Sequence, residues 1–507
     1  MNPSTAASLN EAASRGLMIP PLTGESFLPL LPFLILAVGG LVILTIDALF
    51  SGRRQLPWAA LTLPVPAIAL AACALRWGGS GQTTVFGEML LDDGFASFVG
   101  IVVCLSTLLA TALSETYLKS RGRYRGDYFA LLLFSASGMI LFTSASELLS
   151  LFLGLELLSM PVYILSGFLR RDPRSVEASM KYFLLGAFSS GVFLFGGALI
   201  YAATGSTDLG AALVSGGGAL AQTGFLLLLA GFLFKVAAVP FHMWTPDVYE
   251  GAPTAVTAFM ATAVKAAGFG ALARLLLLAQ PQYGGPELVR VLWWVAALTM
   301  TVGNVAALTQ SNVKRMLAYS SIAHAGYMLL GLAAYAVSGE GEAISGVLYY
   351  LLVYALMNLG AFGVVILWGG KGEERLEISD YAGLGWKRPG AALAMSLFMI
   401  SLSGIPPTAG FFGKYFIFRS AVDSGLTSLV VIAVLNSALS VYYYLRVLVA
   451  LYMRPAEAPW ELNRSRLIGG VVALCALGIL WSGFAPDSIL PGVPTLLGVV
   501  RDSVAGL

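Results

Sequence analysis

Long apolar runs dominate this chain and set what it can fold into. Reading for stretches of about 20 predominantly apolar residues, the length that crosses a bilayer as a helix, gives about fourteen spans. Only 11% of the residues are charged, against about 25% in a soluble domain. The sequence therefore predicts an all-α polytopic membrane protein, without a stretch long enough for a soluble nucleotide-binding domain. The predicted spans are 28–50, 57–76, 95–117, 128–144, 147–169, 177–203, 221–240, 254–277, 290–310, 316–337, 343–369, 390–421, 425–452 and 467–490.

Lysine and arginine are distributed unevenly among the loops between these spans. Most of the 29 follow odd-numbered spans, for example those in 119–125 after the third span and 170–174 after the fifth. Because basic loops stay in the cytoplasm, we expect both termini to lie outside it. The polar segment 1–27 lacks the basic-then-apolar order of a cleaved signal peptide. We therefore expect the first span to act as the insertion signal.

Four charged residues lie deep within apolar runs: Glu156, Lys235, Lys265 and Lys414. A charge at the bilayer centre costs about 2.5 to 3.5 kcal/mol on insertion scales. Such residues usually face a bundle interior and mark ion or proton pathways. Lys181 lies nearer the start of its span, and we consider it together with this group.

Two spans are interrupted, and this suggests an internal repeat. The seventh run reaches Pro240 and continues into HMWTPDVYEGAP, and the twelfth is broken by Gly404-Ile405-Pro406-Pro407. Proline removes a backbone hydrogen bond, and freed backbone is tolerated at membrane depth only inside protein or beside water. Interrupted spans in corresponding positions of two halves point to a transport site. We predict two inverted five-helix repeats, 128–277 and 290–452, with an N-terminal extension (1–27), helices one to three (28–127), and helix fourteen with a tail (453–507).

Glu156 and Lys235 form a candidate proton-handling pair. Burial favours the neutral form of a lysine, and a nearby carboxylate favours its charged form. Movement of Glu156 relative to Lys235 would therefore change how firmly that lysine holds its proton. Lys181 is a possible competitor for Glu156. The alternative is an inert ion pair that holds two helices together.

His324 is a candidate relay between Lys265 and Lys414, because it lies near the middle of the tenth span. A hydrogen-bonded core histidine is the alternative explanation. The two lysines are harder to explain as inert, since no mid-span carboxylate is left to pair with them.

Other chemistry-bearing residues fit packing or topology better. We expect Arg274 and Arg446, close to span ends, to snorkel toward the interface. His242 and the tyrosines at 442–444 are expected to be structural or interfacial. The three cysteines, Cys73, Cys104 and Cys475, form no CxxC or Cys/His cluster. Iron–sulfur, zinc and disulfide interpretations are therefore disfavoured, and no metal site is predicted.

Several long motifs resemble the antiporter-like subunits of bacterial respiratory complex I. They are ELLSMPVYILSGF, FKVAAVPFHMWTPDVYEGAPT, TAVKAAGFGA, NVKRMLAYSSIAHAGYMLLG and GIPPTAGFFGKYFIF, and the resemblance covers about residues 28 to 490. Within that family, VPFHMWTPDVYEGAPTAVTAFMATAVK is most similar to the N type of subunit. The M type carries glutamate at the position of Lys414, so the lysine found here argues against that type.

The resemblance implies a fourteen-helix core, two inverted repeats and a proton-translocating role in an NADH–quinone oxidoreductase. It makes Glu156 and Lys235 the modulating pair and Lys181 its basic neighbour. NADH, FMN, iron–sulfur clusters and quinone would be bound by partner subunits rather than by this chain. The implied partners are the M subunit, the small subunits J and K, the lipid of the bacterial inner membrane and protons, but no nucleic acid. Lys265, His324 and Lys414 become the central relay, a further link and the terminal lysine.

Two other functions compete with this one. The chain is also compatible with a subunit of an Mrp-type Na⁺/H⁺ antiporter, which shares the fold. It is further compatible with a structural membrane anchor whose charges are vestigial.

Overall fold

The described residues contain thirteen helices that are long enough and apolar enough to cross a membrane, and these make up most of the structure. The structure is a computed structural model, and it describes residues 27–50, 56–77, 83–85, 89–214, 218–370, 374–455 and 465–486. The predicted N-terminal extension, except for its last residue, and most of the C-terminal tail lie outside the described residues. The prediction of an all-α polytopic membrane protein is confirmed.

Most spans begin and end close to their predicted limits. We keep the predicted numbering, in which the interrupted twelfth span is counted. Asp93, Asp172, Asn312 and Ser465 each precede a span and accept a hydrogen bond from a backbone N–H of its first turn, which stabilises the start of a helix. The thirteen helices of spanning length in the described residues are Leu31–Phe50, Trp58–Trp77, Gly94–Ser120, Gly126–Ser144, Leu148–Ser166, Pro173–Thr204, Gly218–Lys235, Thr254–Tyr283, Pro286–Leu308, Val313–Ser338, Gly341–Trp368, Thr427–Met453 and Arg466–Phe484.

The seventh span ends at Lys235 rather than at Pro240 as predicted. The chain then continues without regular structure to the short helix Thr245–Gly251. Ala237, within this segment, has a φ of 61°, a left-handed conformation that costs a residue with a Cβ about 1–2 kcal/mol. The indole of Trp244 donates to the carbonyl of Phe234 at 3.2 Å. This bond satisfies one of the carbonyls that the break leaves without a helical partner.

The twelfth span is two helices, Pro389–Ser403 and Ala409–Asp423, as the Gly-Ile-Pro-Pro sequence predicts. Gly404 ends the first half with a φ of 83°, a conformation that glycine adopts without steric cost. The backbone of the second half returns close to the first, because a Cβ on Gly410 would lie 1.9 Å from the Ser401 carbonyl oxygen. Both predicted interruptions are therefore present.

The eighth span contains a π-helical turn, Met260–Val264, immediately before Lys265. Such turns are rare and occur frequently at functional sites. The turn shifts the helical phase of all following residues, and the lysine is the first of them.

The helices differ strongly in how deeply they are enclosed. In the most apolar window of the eighth and of the tenth span, 94% of residues are buried, against 17% in the first span. Lys265 and His324 lie on the two most enclosed helices. The first span borders the bundle instead.

Two helix pairs pack with the same geometry. A Cβ on Gly138 of the fourth span would strike the backbone of Leu158 in the fifth, at 2.3 Å from its nitrogen. In the ninth span a Cβ on Gly303 would meet the backbone nitrogen of Ala323 in the tenth at 2.6 Å. The sequence separation is the same in both pairs. This agreement favours the predicted repeats 128–277 and 290–452, which remain a prediction.

A small hairpin was not predicted. Thr83–Val85 pairs antiparallel with Leu90–Asp92 in the connection between the second and third spans. Strands of three residues are too short for sequence alternation to reveal them. The hairpin leads directly to Asp93, the residue that caps the third span.

Candidate functional site

Lys235 is buried at the end of the seventh helix, where only 5% of the residue is exposed. Its Nζ donates to the hydroxyl of Ser159 in the fifth span at 2.8 Å. The same nitrogen lies 6.0 Å from the ring centroid of Tyr182. The contact with Ser159 was not predicted from the sequence.

Glu156 lies one helical turn before Ser159 on the fifth span. Its Oε1 is buried and has no hydrogen-bond partner among the described residues. The described part of the chain has no ion pair between Glu156 and Lys235, whose ammonium bonds to Ser159 instead. The inert ion pair is therefore not the arrangement found.

Lys181 is not a partner of Glu156. Its Nζ lies 2.6 Å from Glu177 Oε1 and 2.6 Å from Asp247 Oδ2, and 40% of its side chain is exposed. Asp247, on the short helix after the seventh span, uses its other oxygen to accept from Arg315 at 2.8 Å. The expected competition for Glu156 is absent, because nearer carboxylates take the lysine. Burial alone would raise the pKa of Asp247, but Lys181 and Arg315 hold it below its ordinary value.

Lys265 is 3% exposed and lies within the bundle. Its Nζ donates to the backbone carbonyl of Ser321 in the tenth span at 2.6 Å and lies 5.6 Å from the ring centroid of Tyr354. The π-helical turn just before the lysine sets the direction in which this side chain leaves its helix. As expected, its bonded acceptor is not a carboxylate.

His324 is hydrogen-bonded through both ring nitrogens. Nδ1 contacts the hydroxyl of Tyr350, and Nε2 lies 3.0 Å from that of Tyr444. The Tyr444 hydroxyl also bonds to that of Ser320. Tyr444 was expected to serve only packing, and this interpretation is incomplete, because its hydroxyl connects the histidine to a further polar group.

Lys414 is 4% exposed and has three acceptors. Its Nζ donates to the carbonyls of Leu402 and Ser403 at 3.1 and 2.9 Å, and to the Ser437 hydroxyl at 2.9 Å. The two carbonyls belong to the last turn of the first half of the twelfth span, where a helix carries partial negative charge. The break thus provides the site that holds this ammonium.

Arg274 does not snorkel as predicted. It is 4% exposed, and two of its guanidinium nitrogens each donate to a carboxylate oxygen of Asp93 at 2.8 Å. Its Nε donates to the Thr143 carbonyl at 2.8 Å. A capping aspartate of the third span therefore draws the arginine inward. Arg446 bonds the carbonyls of Leu308 and Gln310 at the end of the ninth span, and its snorkelling stays a prediction.

Lys314 and Glu374 form a second ion pair, half-buried on the Glu374 side, that the sequence did not reveal. Lys314 is fully buried and donates to Glu374 Oε2 at 3.1 Å and to the Ala252 carbonyl at 2.7 Å. Glu374 Oε1 accepts from the hydroxyls of Tyr117 and Thr254, each at 2.6 Å. Burial works to raise the pKa of Glu374, but Lys314 and these hydroxyls outweigh it and lower that pKa.

The described residues contain no cluster of histidine, cysteine or carboxylate side chains that could hold a metal ion. Cys73, Cys104 and Cys475 are buried free thiols. His242, expected to be structural, lies in the irregular segment after the seventh helix, where its carbonyl accepts from the Thr245 backbone N–H.

Known proteins resemble this chain over nearly all of its length. Residues 145–440 match a family described as NADH:quinone oxidoreductase/Mrp antiporter, TM. A protein of Trichlorobacter lovleyi named NADH-quinone oxidoreductase subunit N is 47% identical over 470 residues, which cover 91% of this chain and 95% of that protein. A chain of respiratory complex I from Thermus thermophilus, solved with bound aureothin, is 37% identical with a TM-score of 0.79 over 91% of this chain and 98% of that one.

A chain of an Mrp complex from a Dietzia species shares the fold. It has a TM-score of 0.81 at 21% identity and covers 95% of this chain and 98% of its own. At that level of identity the likeness concerns the fold alone.

Proposed function

The chain belongs to the family of NADH-quinone oxidoreductase subunit N, and on that premise we propose that it is a proton-translocating subunit in the membrane arm of that enzyme complex. In this role it carries protons while quinone is reduced elsewhere. Glu156, Lys181, Lys235, Lys265, His324 and Lys414 are the residues to which we assign the transfer.

The burial of three lysines without a bonded carboxylate carries this proposal. Lys235, Lys265 and Lys414 are 5%, 3% and 4% exposed, and the acceptors bonded to them are hydroxyls and backbone carbonyls. An ammonium buried without a counter-ion is costly, and such groups tend to be neutralised by losing the proton. A lysine that gains and loses a proton in place is what a proton pathway requires.

The three ammonium groups differ in how completely they are satisfied. Lys414 has three acceptors, one for each N–H. Lys235 and Lys265 each have one acceptor among the described residues. Their remaining N–H groups need water or a carboxylate that moves toward them. The buried and unpartnered Oε1 of Glu156, one helical turn from Ser159, is the candidate for Lys235.

The predicted repeat relates the fifth span to the tenth. The offset that aligns Gly138 with Gly303 also aligns Ser159 with His324, and Glu156 with Ser321. Ser159 is the acceptor for Lys235, and Ser321 provides the acceptor for Lys265. Under this offset the two acceptors lie one helical turn apart, so the fifth and tenth spans present their lysine-facing groups on corresponding stretches of helix. This symmetry supports one transfer element in each half.

Membership of the family supports an assignment of this chain to a multisubunit complex. The relatives named above are subunits of an enzyme complex, and we assign to this chain a non-redox role in it. NADH, FMN, iron–sulfur clusters and quinone then belong to other subunits, with the M, J and K subunits as neighbours. The basic loops orient both termini away from the cytoplasm of a bacterial inner membrane.

The Mrp-type antiporter is the second candidate. The matched family includes both kinds of protein, and the Mrp chain shares the fold. Identity of 47% to a subunit N favours the oxidoreductase.

Proton pumping by the assembled complex tests the proposal. Lys235→Ala and Glu156→Ala are each expected to assemble normally and to lower NADH-driven proton uptake into membrane vesicles. Lys119→Ala, at a lysine whose side chain is 54% exposed, is the control and should pump like the wild type. Wild-type pumping in both site variants would leave only the anchor interpretation.

A further inference from the structure

An open cavity lies between two loops at the end of the bundle that the basic residues assign to the cytoplasm. Its volume is about 680 Å³. Arg121 and Arg123, in the turn after the third span, line one side. Arg171 and Asp172, in the connection between the fifth and sixth spans, line the other. Three guanidinium groups against one carboxylate make this cavity electropositive.

The cavity arginines differ from the other basic residues of the first loop. Lys119 contacts Glu115 at 2.5 Å, and Arg125 contacts Asp127 at 2.9 Å. Within the described part of the chain, the three arginines that line the cavity form no ion pair. Positive charge without a carboxylate partner is therefore concentrated in the cavity rather than spread evenly over the loop.

Hydrogen bonds order the backbone on both sides of the cavity. Gly122 has a φ of 62°, and the backbone N–H of Arg123 donates to the Leu118 carbonyl at 3.0 Å, as in a common helix C-terminal turn. On the other side, the Asp172 side chain accepts from the backbone N–H of Arg174 at 3.0 Å and caps the sixth span. The arginines therefore extend from two fixed turns.

Membrane topology alone does not explain this arrangement. Orientation depends on how many lysines and arginines a short loop carries, and it requires no contact between one loop and another. Here arginines from two separate loops line the same cavity. Convergence of this kind indicates an anionic ligand.

A phosphate group fits the cavity in charge and in hydrogen bonding. Guanidinium groups form paired N–H···O bonds with phosphate oxygens. The sixth span begins at Pro173, which also lines the cavity, and a helix N-terminus adds partial positive charge. Loops at the ends of spans lie level with lipid headgroups, and basic pockets there bind anionic ones. Since a water takes up about 30 Å³, the cavity has room for a headgroup around the phosphate.

We propose that this cavity binds a phosphate group through the guanidinium groups of Arg121, Arg123 and Arg171. The phosphate belongs either to the headgroup of an anionic lipid or to free phosphate, and both present the same kind of oxygen. Asp172 serves the helix cap and does not contact the anion. Binding here is independent of proton transfer through the buried lysines.

Two probes applied to the purified, delipidated complex distinguish the sources of the phosphate. The first is a photoactivatable phosphatidylglycerol in phosphatidylcholine nanodiscs, with cross-links mapped to the two loops. The second is radioactive inorganic phosphate, measured by equilibrium dialysis in detergent. Arginine-dependent cross-linking identifies a lipid headgroup, and arginine-dependent dialysis binding identifies free phosphate. If neither signal depends on the cavity arginines, the proposal is overturned.

Paired charge removals separate a site from diffuse attraction. Arg123→Gln/Arg171→Gln should lower binding about tenfold or more, because bonds to charged groups are lost. Arg170→Gln/Arg174→Gln is the matched control: it removes the same charge from exposed side chains, and neither residue is among the described ones that line the cavity. Equal losses in the two double variants would mean that only the overall charge of the loops matters, and would overturn the site.

A lysine variant keeps the test valid if loss of charge impairs membrane insertion. Arg123→Lys/Arg171→Lys retains the charge on which orientation depends but replaces each planar fork of donors with a single ammonium. We expect a normal level of assembled complex and several-fold weaker binding than in the wild type. Binding equal to that of the wild type would overturn the assignment to the guanidinium groups.

Discussion

The ammonium of Lys235 donates to the hydroxyl of Ser159 at 2.8 Å, across the interface between the seventh and fifth spans. Glu156 lies one turn from that serine, with a buried oxygen that has no hydrogen-bond partner among the described residues. Lys235 is therefore held by a neutral acceptor, Ser159. The unpartnered carboxylate oxygen of Glu156 lies on the same helix as that serine. An arrangement of this kind leaves the carboxylate free to approach or withdraw.

Removal of the serine hydroxyl should alter proton transfer. Ser159→Ala deprives the Lys235 ammonium of its bonded acceptor, and we expect slower pumping by a complex that still assembles. Pumping in inverted membrane vesicles, normalised to the amount of complex, measures the effect. Ser144→Ala is the control, because that hydroxyl donates only within its own helix, to Ile140 at 2.9 Å. Equal rates for the two variants would contradict a role for the Ser159 contact.

A side chain at Gly404 should displace Lys414. A Cβ there would lie 2.9 Å from Lys414 Cδ, and the φ of 83° adds strain of about 1–2 kcal/mol. Gly425→Ala separates the two effects, because Gly425 has a φ of 80° but nothing within 4 Å of its Cβ. Both variants should lose similar thermal stability, but only Gly404→Ala should lose pumping. A pumping loss of the same size in both would show that strain alone is responsible.

Loss of the Arg274–Asp93 pair should be severe. Arg274→Met leaves the Asp93 carboxylate buried without its partner, which typically costs about 3–5 kcal/mol. The expected result is little assembled complex in the membrane and a lower Tm of what remains. Arg419→Met is the control: that arginine is 58% exposed and 3.8 Å from Asp423, and exposed pairs contribute about 0–1 kcal/mol. A wild-type level and Tm for Arg274→Met would refute the structural role.

The stability supplied by Glu374 should depend on pH. Its pKa is lowered in the folded protein from an ordinary value of 4.5. The contribution is thus complete above that value and is lost as the pH falls through it toward the lower folded pKa. At neutral pH, Glu374→Gln should have a lower Tm than the wild type, and the difference should shrink on acidification below 4.5. Glu177→Gln, at a side chain that is 62% exposed, provides the baseline for Tm. A Tm difference between Glu374→Gln and the wild type that does not change with pH would contradict the lowered pKa of Glu374.

The sequence predicted those features that depend on local pattern. The lengths of the apolar runs predicted the spans, and proline and glycine predicted both interruptions. Charge within apolar runs singled out Lys235, Lys265 and Lys414, and all three are buried. Each of these depends on a residue and its chain neighbours. Hydrocarbon cannot satisfy a charge or a freed carbonyl, so such residues are informative wherever they occur.

The partners of these residues were not predictable, because they come from other helices. Ser159 and the carbonyl of Ser321 become acceptors only when the spans pack. Arg274 looked like a snorkelling residue because Asp93, which draws it inward, lies far away in the sequence. The DDG sequence before the third span was the available signal, since aspartate there predicts a helix cap. No comparable signal linked Lys314 to Glu374.

In the proposed function, buried lysines of this chain release and regain protons during turnover. Lys265→Arg tests it most directly, since arginine keeps the positive charge but does not give up its proton in proteins. NADH-driven pumping by the purified, reconstituted complex should be largely lost in Lys265→Arg and in Lys265→Met, at normal levels of assembly. Wild-type pumping in the arginine variant would mean that a fixed charge at this position is sufficient, and it would contradict proton exchange at Lys265.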